Sequence, residues 1–333
     1  MTRRRRLGVL LAIVFGCAGC GTQGVLLGSG ANYVFTSTDA ITSPGKPVNI
    51  YARVEEGDML QSRPGAVVRF YTPDGRFYKA AATNEEGIAR VSYTPESAGD
   101  HELVVDVSPM GLEEPPPQPR RVTVFVRPPG TPILLVDMDK TVVASGFQTV
   151  LISDPEPMER SGQVLRRAEG QWQVVYLTHR PDYFSTKSRQ WLRRHDYPSG
   201  PLLLSTIDEF LQGSGAFKTQ KIRRLQETLT NIQAGIGDKV SDAMAYHDTG
   251  LKSVLVLPMP PTEKSVAYRQ LAASLEKLPE EVNVVADWSQ VERVLFDDAR
   301  YPPGEMMEKL RSKAEELEKA EEGTTRPERE GDR

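Results

Sequence analysis

Hydrophobic positions change their rhythm near residue 130. Before it, apolar residues alternate with polar ones. Val48, Ile50, Ala52 and Val54 form one such series. The segments 66–71, 77–83, 87–94, 101–107 and 121–127 are rich in β-formers, with Pro73-Asp74-Gly75, 84–87 and 97–100 as turns between them. Short strands at this spacing predict a small all-β sandwich over residues 31–128. Pro128-Pro129-Gly130 ends it. From 131 to 298 the apolar residues come instead as short unbroken runs: 133–136, 174–177, 201–204, 234–236, 253–257 and 282–285. Runs of this kind are expected of parallel strands buried on both faces. Helical periodicity lies between them, at 183–194 and 218–228. The second unit is therefore expected to be α/β, with a doubly wound, mostly parallel sheet.

The two ends of the chain follow other patterns. Arg3–Arg6 precede an uncharged, mostly apolar stretch, 7–19. As a helix it would span roughly 20 Å, too short for a hydrocarbon core of ~30 Å. This is the pattern of an export signal. Residues 21–30 are Gly-rich and read as a tether. Residues 305–333 hold ten acidic and seven basic residues. They suggest a polar helix over 305–322, with Glu315 and Lys319 spaced to pair, and disorder from 324 onward.

Charge and cysteine content narrow the function. Lys and Arg total 41 against 45 Asp and Glu, a net charge of −4. A nucleic-acid binder normally carries a basic excess, so no nucleic-acid partner is expected. The two cysteines, Cys17 and Cys20, build neither a disulfide scaffold nor a cysteine-rich zinc site.

Candidate chemistry sits just after the apolar runs, where ligands bind in open parallel sheets. The first run ends in Asp137-Met138-Asp139-Lys140-Thr141. Two acids after a buried strand are costly unless something neutralises them, and a divalent cation does so. Thr178 ends the second run, and Lys218 opens a helix forty residues later. Gly235-Ile236-Gly237-Asp238 ends another run, with Asp242 four residues on.

These elements resemble, in order and spacing, the DxDxT signature and accompanying motifs of the haloacid-dehalogenase (HAD) superfamily. The resemblance implies a Mg²⁺-dependent phosphatase. Asp137 is then the nucleophile and forms an aspartyl-phosphate, and Asp139 is the general acid and base. Thr141, Thr178 and Lys218 bind the phosphate. The metal is held by Asp137, Asp238 and the backbone carbonyl of Asp139, and Asp242 supports Lys218 or a metal-bound water. The intervals Thr141–Thr178 and Thr178–Lys218 contain 36 and 39 residues, which the expected helices and strands consume. The unit is therefore expected to be HAD-like and capless, with an open site.

Residues 174–257 further resemble lipin-type phosphatidate phosphatases and the bacterial relatives of the actin-patch phosphatidate phosphatase. The likeness rests on VVYLTHRPD, SGPLLLS, AFKTQKI and GIGDKVSDAMAYHDTGL. It implies hydrolysis of phosphatidate to diacylglycerol at a membrane surface. Lipins usually have Gly at the place of Lys140 and Asn at that of Asp238, and their Ser-Ala-Arg is here Thr178-His179-Arg180. Arg180 is a candidate contact for a headgroup phosphate, or a strand-end arginine paired to Asp182 or another acid. Two alternatives remain. One is a broad acid phosphatase for nucleotides or phosphoproteins, like the lipid-anchored class C acid phosphatases. The other is a non-catalytic phosphatidate-binding module, like lipin-like domains of lipid-transfer proteins, which are expected to lose catalytic acids.

The 81–105 stretch resembles bacterial immunoglobulin-like domains and is expected to act as a spacer. Cys17-Ala18-Gly19-Cys20 resembles a lipobox, with lipidation at Cys20 and residues 1–19 removed. That implies an exported, membrane-anchored cell-envelope lipoprotein, with Gly21 pointing to the outer membrane if the host has one.

Overall fold

The computed structural model describes residues 33–324 apart from 57–60, 73, 110–115, 147–148 and 150–152. The signal, Cys20 and the tether lie outside the described residues, as does 325–333. The first half is a β-sandwich. One sheet has the order β1 (Tyr33–Ser37), β3 (Val48–Glu56), β4 (Gln61–Ser62), with β7 (Ile88–Tyr93) also paired to β3. The other runs β2 (Ala40–Thr42), β9 (Arg120–Val126), β8 (Gly99–Val107), β5 (Val67–Tyr71), β6 (Phe77–Ala82). The alternating residues Ile50, Ala52 and Val54 point into its core with Phe35, Phe70, Leu103 and Val124.

The second half is a six-stranded sheet in which every pairing is parallel. Its order is β12 (Leu202–Ser205), β11 (Gln173–Pro181), β10 (Ile133–Val136), β13 (Ile232–Gly237), β14 (Lys252–Val256), β15 (Asn283–Val285). All six apolar runs are strands. The chain reverses its direction of winding between β10 and β13, and a crevice opens there at the carboxyl ends of the strands.

Strand side chains alternate between the two faces of the sheet. Leu134, Val136, Val174 and Tyr176 face α1 (Ser161–Glu169), α2 (Ser185–Arg194) and α7 (Trp288–Phe296), through Val164, Leu165, Trp191, Trp288 and Val291. Ile133, Leu135, Val175 and Leu177 face the other way. They meet Phe217, Ile222 and Leu225 of α4 (Ser214–Gln226) and Tyr246 of α5 (Val240–Asp248). Ile41 and Phe125 of the sandwich belong to this same apolar cluster. The β2–β9 side of the sandwich thus helps cover the α/β sheet.

Three expectations change. The sandwich is not a free-standing spacer: besides Ile41 and Phe125, Ser43 Oγ donates to Thr228 O at 2.9 Å. The charged carboxy-terminal segment is helical, as α8 (Pro303–Thr324), but its first turns are core. Met306, Leu310 and Ala314 pack on Tyr268, Ala272 and Leu275 of α6 (Ser265–Leu275). Their i, i+4, i+8 spacing is a single buried stripe on an otherwise polar helix. Finally, Lys218 does not open its helix, because α4 begins at Ser214.

Both edges of the parallel sheet are capped. Asp39 Oδ2 accepts from Leu202 N of β12 at 3.2 Å, and Tyr301 O accepts from Val284 N of β15 at 2.8 Å. Among the described residues, neither interval flanking Thr178 carries an added lid. They hold turns, α1, a 3₁₀ turn at Asp182–Phe184, α2, β12 and the short α3 (Ile207–Leu211).

Candidate active site

After β10 the chain turns back on itself. Met138 O accepts from Val142 N at 3.0 Å and from Val143 N at 2.9 Å. Trp288 Nε1 and Tyr197 Oη hold the turn from behind, donating to Thr141 O (2.8 Å) and Val142 O (3.0 Å). Lys140, where lipins usually have Gly, takes a left-handed conformation with φ 54°. That region is open to glycine without a Cβ penalty.

The turn carries Asp137 into the crevice. Its Oδ1 accepts from Met138 N at 2.7 Å, and its Oδ2 lies 2.9 Å from Lys218 Nζ. Lys218 is fully buried and also lies 2.6 Å from Asp242 Oδ2. Asp242 Oδ1 accepts from Ser214 Oγ at 2.7 Å. The Gly-x-Gly-Asp spelling now has a reason. A Cβ on Gly237 would stand 2.9 Å from the Asp242 Cβ, and one on Gly235 would enter the Tyr246 ring. Both glycines let α5 lie close against β13.

The electrostatics are those of a cluster short of positive charge. Burial pushes the Asp137 carboxyl up, but Lys218 and the Met138 amide hold it below the usual carboxylate range. Asp238 is pushed up to about 7, first by burial and then by the Asp137 and Asp242 carboxylates. Burial raises Asp242 too, against the pull of Lys218. Asp137, Asp238 and Asp242 each offer an oxygen within 4.8 Å of the others, and the buried Asp238 Oδ1 has no hydrogen-bond partner. Carboxylates that raise one another in this way suit a hard, oxygen-loving cation. This donor set differs from the expected one in carrying the Asp242 side chain. The Asp139 carboxylate is engaged elsewhere.

Asp139 is gripped by Arg180. The guanidinium Nη2 reaches its Oδ1 at 2.6 Å, and Nε reaches its Oδ2 at 3.0 Å. Of the two expectations for Arg180, pairing to an acid is what the structure contains. The acid is Asp139, not Asp182. Arg180 Nη1 also donates to Ser188 Oγ at 3.0 Å. Burial still raises the Asp139 carboxyl above its ordinary range, although Arg180 pulls it down. Thr141 and Thr178 are fully buried and their hydroxyls have no hydrogen-bond partner. His179 stacks on Phe210 at 4.8 Å.

The fold therefore gathers Asp137, Asp139, Lys218, Asp238, Asp242, Thr141, Thr178 and Arg180 at the carboxyl ends of β10, β11 and β13 and on α4 and α5. Sequence reasoning missed Ser214 and Lys239. Ser214 precedes Lys218 by one helical turn, a spacing that places both on one face of α4. Lys239 is exposed, and its charge lowers Asp137, Asp139 and Asp238.

A family described as "PITM 1-3, LNS2 domain" matches residues 134–257. That span holds every candidate site residue of the α/β unit. No curated protein matches the chain. Among solved structures, the CARDB domain of the PF1109 protein of Pyrococcus furiosus, described in complex with di-metal ions, is similar at 18% identity. It covers 29% of this chain and 90% of its own, with a TM-score of 0.23. Fibronectin(III)-like modules of Clostridium thermocellum CbhA are similar at 14% identity, covering 28% and 94%, with a TM-score of 0.20. A conjugative transposon lipoprotein of Bacteroides eggerthii is similar at 12% identity, covering 28% and 98%, with a TM-score of 0.20.

Proposed function

We propose that the chain is a Mg²⁺-dependent phosphoric monoester hydrolase acting on phosphatidate. The observation that carries this reading is the buried Lys218, held between Asp137 and Asp242, together with the buried, unpartnered hydroxyls of Thr141 and Thr178 after β10 and at β11. Most buried hydroxyls are hydrogen-bonded. A phosphate supplies the acceptors they lack.

Asp137 attacks phosphorus, forming an O–P bond as the bond to the glycerol oxygen breaks. Asp139, whose carboxyl burial raises against the pull of Arg180, gives its proton to the departing alkoxide, which leaves as diacylglycerol. It then takes a proton from water, whose oxygen bonds to phosphorus as the Asp137–phosphorus bond breaks. Inorganic phosphate is released. Thr141, Thr178 and Lys218 hold the equatorial oxygens, where negative charge spreads in the transition state. Asp137 and Asp238, with Asp242 beside them and the Asp139 carbonyl, would hold Mg²⁺, which would offset the repulsion between carboxylate and phosphate.

A lipid substrate is supported by the lack of an added lid among the described residues and by two exposed apolar side chains. Leu211, at the end of α3, and Met259, in the segment after β14, are each 40% exposed. Both follow strands of the parallel sheet on the edge that carries the site. Lipidation of Cys20 would hold the protein at a cell-envelope membrane. The LNS2 match also favours a second reading, phosphatidate binding without turnover. The presence of both Asp137 and Asp139 places it behind hydrolysis.

The test is phosphate release from phosphatidate in mixed micelles, with and without Mg²⁺, for the wild type and Asp137→Asn. A Mg²⁺-dependent release lost in the variant is expected. Equal release by both proteins would refute the mechanism. Binding to phosphatidate liposomes without release supports the second reading, and activity on nucleoside monophosphates alone supports the broad phosphatase.

A further inference from the structure

The sandwich and the site are joined by buried charge. Arg53 and Glu55 lie on β3, on the face opposite Ile50, Ala52 and Val54. Both are almost completely buried, and within the sandwich Arg53 Nη1 donates to Glu86 O at 3.1 Å and lies 3.4 Å from Glu55 Oε1. They are covered by the turn that follows β11. Arg53 Nη2 lies 3.2 Å and its Nε 3.3 Å from Asp182 Oδ2. Tyr183 Oη donates to Glu55 Oε1. The Arg53 guanidinium also stands 5.1 Å from the centre of the Tyr183 ring. Asp182 is fully buried and follows Arg180 by two residues.

A second grip lies on α2, which carries the Ser188 partner of Arg180. Arg189 donates to Ser37 O at 3.0 Å and lies 3.1 Å from Asp39 Oδ1. Sandwich residues thus fix both the strand end and the helix that set the Arg180 guanidinium. That guanidinium is in turn the group on the Asp139 carboxylate. A buried ion pair is weak evidence for stability, because the desolvation cost offsets the attraction. A geometric role accounts better for placing one on this turn.

We propose that Arg53, a residue of the sandwich, is a positioning residue for Asp139 and acts through Asp182 and Arg180. The proposal rests on the hydrolase reading, in which Asp139 is the proton donor. Arg53 touches no reacting atom. It fixes the strand end from which Arg180 reaches Asp139, so its loss lets both side chains drift from the attack geometry.

The test uses Arg53→Ala and Asp182→Asn in the full chain, each checked by far-UV circular dichroism, and Arg180→Ala with the double variant R53A/R180A. Displacements near 1 Å cost up to about 100-fold in rate. A fall in kcat of about 10- to 100-fold with KM nearly unchanged is therefore expected for either folded single variant. Residues acting along one path are non-additive, so the double variant is expected to match Arg180→Ala alone. Independently of turnover, ¹⁵N-arginine labelling reads the Arg180 Nε–H, assigned by its loss in Arg180→Ala. Its exchange is expected to be slow in the wild type and fast in folded Arg53→Ala or Asp182→Asn. An unchanged kcat in a folded variant, additive losses in the double variant, or an undisturbed Arg180 signal overturns the proposal. If the wild type releases no phosphate from any substrate, the hydrolase reading fails. The Arg180 signal alone then decides whether Arg53 positions Arg180.

Discussion

Lys218 and Asp242 form an ion pair of 2.6 Å in which neither side chain has any exposure. The lysine ammonium is held well above its usual range: burial pushes it down, but Asp137 and Asp242 outweigh that. The two carboxylates therefore favour the charged form of Lys218. Replacing it by Met leaves two carboxylates facing each other in the interior. Breaking a buried pair from one side costs about 3–5 kcal/mol. Urea unfolding of Lys218→Met is expected to show a loss of that size, together with loss of phosphate release.

Glu55 gives stability a pH dependence that does not come from the site. Burial first of all raises its carboxyl to about 7, against the pull of Arg53 and Tyr183. The unfolded chain has the ordinary value, near 4.5. Between these values the folded state binds more protons than the unfolded one, so stability falls as pH rises through that window. The full shift corresponds to about 3 kcal/mol. Glu55→Gln keeps the contact with Tyr183 but removes the charge. Urea midpoints at pH 5 and pH 8 are expected to differ less in Glu55→Gln than in the wild type, with the variant gaining at pH 8.

Leu211 and Met259 test the lipid reading. Burying one such side chain in an apolar phase is worth about 1.5–3 kcal/mol. Leu211→Asp and Met259→Asp are each expected to lower release from phosphatidate vesicles about tenfold or more. Hydrolysis of p-nitrophenyl phosphate, a soluble ester, should stay at the wild-type rate. Equal losses on both substrates would remove these residues from the lipid contact.

Leu310 tests the helix that follows the sheet. It is fully buried against α6. Leu310→Ala is expected to cost about 2–5 kcal/mol in urea unfolding, the range for a large-to-small change in a core.

The parallel sheet was legible in the chain because strands buried on both faces must be apolar throughout, as at Ile133–Val136. The chemistry was legible because Asp137, Thr178 and Asp238 directly follow such runs, with Lys218 and Asp242 on the helices that come after. What escaped is long-range. Arg53 alternates with buried residues and so has the signature of a solvent-facing position, but its cover is Asp182, 129 residues away. The strands Tyr33–Ser37 and Ala40–Thr42 mix apolar residues with Thr and Ser, and Asp39 between them reads as a turn residue. The stripe of Met306, Leu310 and Ala314 was outweighed by the charges around it. Arg180 left its partner open in sequence, since Asp139 and Asp182 both lie near the end of β11 in space.

Asp39 closes the β12 border with a single carboxylate, and the strand there has no backbone amide to spare at Leu202. The opposite border is sealed by the chain at Tyr301. An open border invites another polypeptide to add itself, strand upon strand. Removing the amino-terminal half would therefore do more than bare the apolar cluster to which Ile41 and Phe125 belong. It would leave the Leu202 amide free to pair with another chain, so the α/β half relies on the sandwich to finish that border.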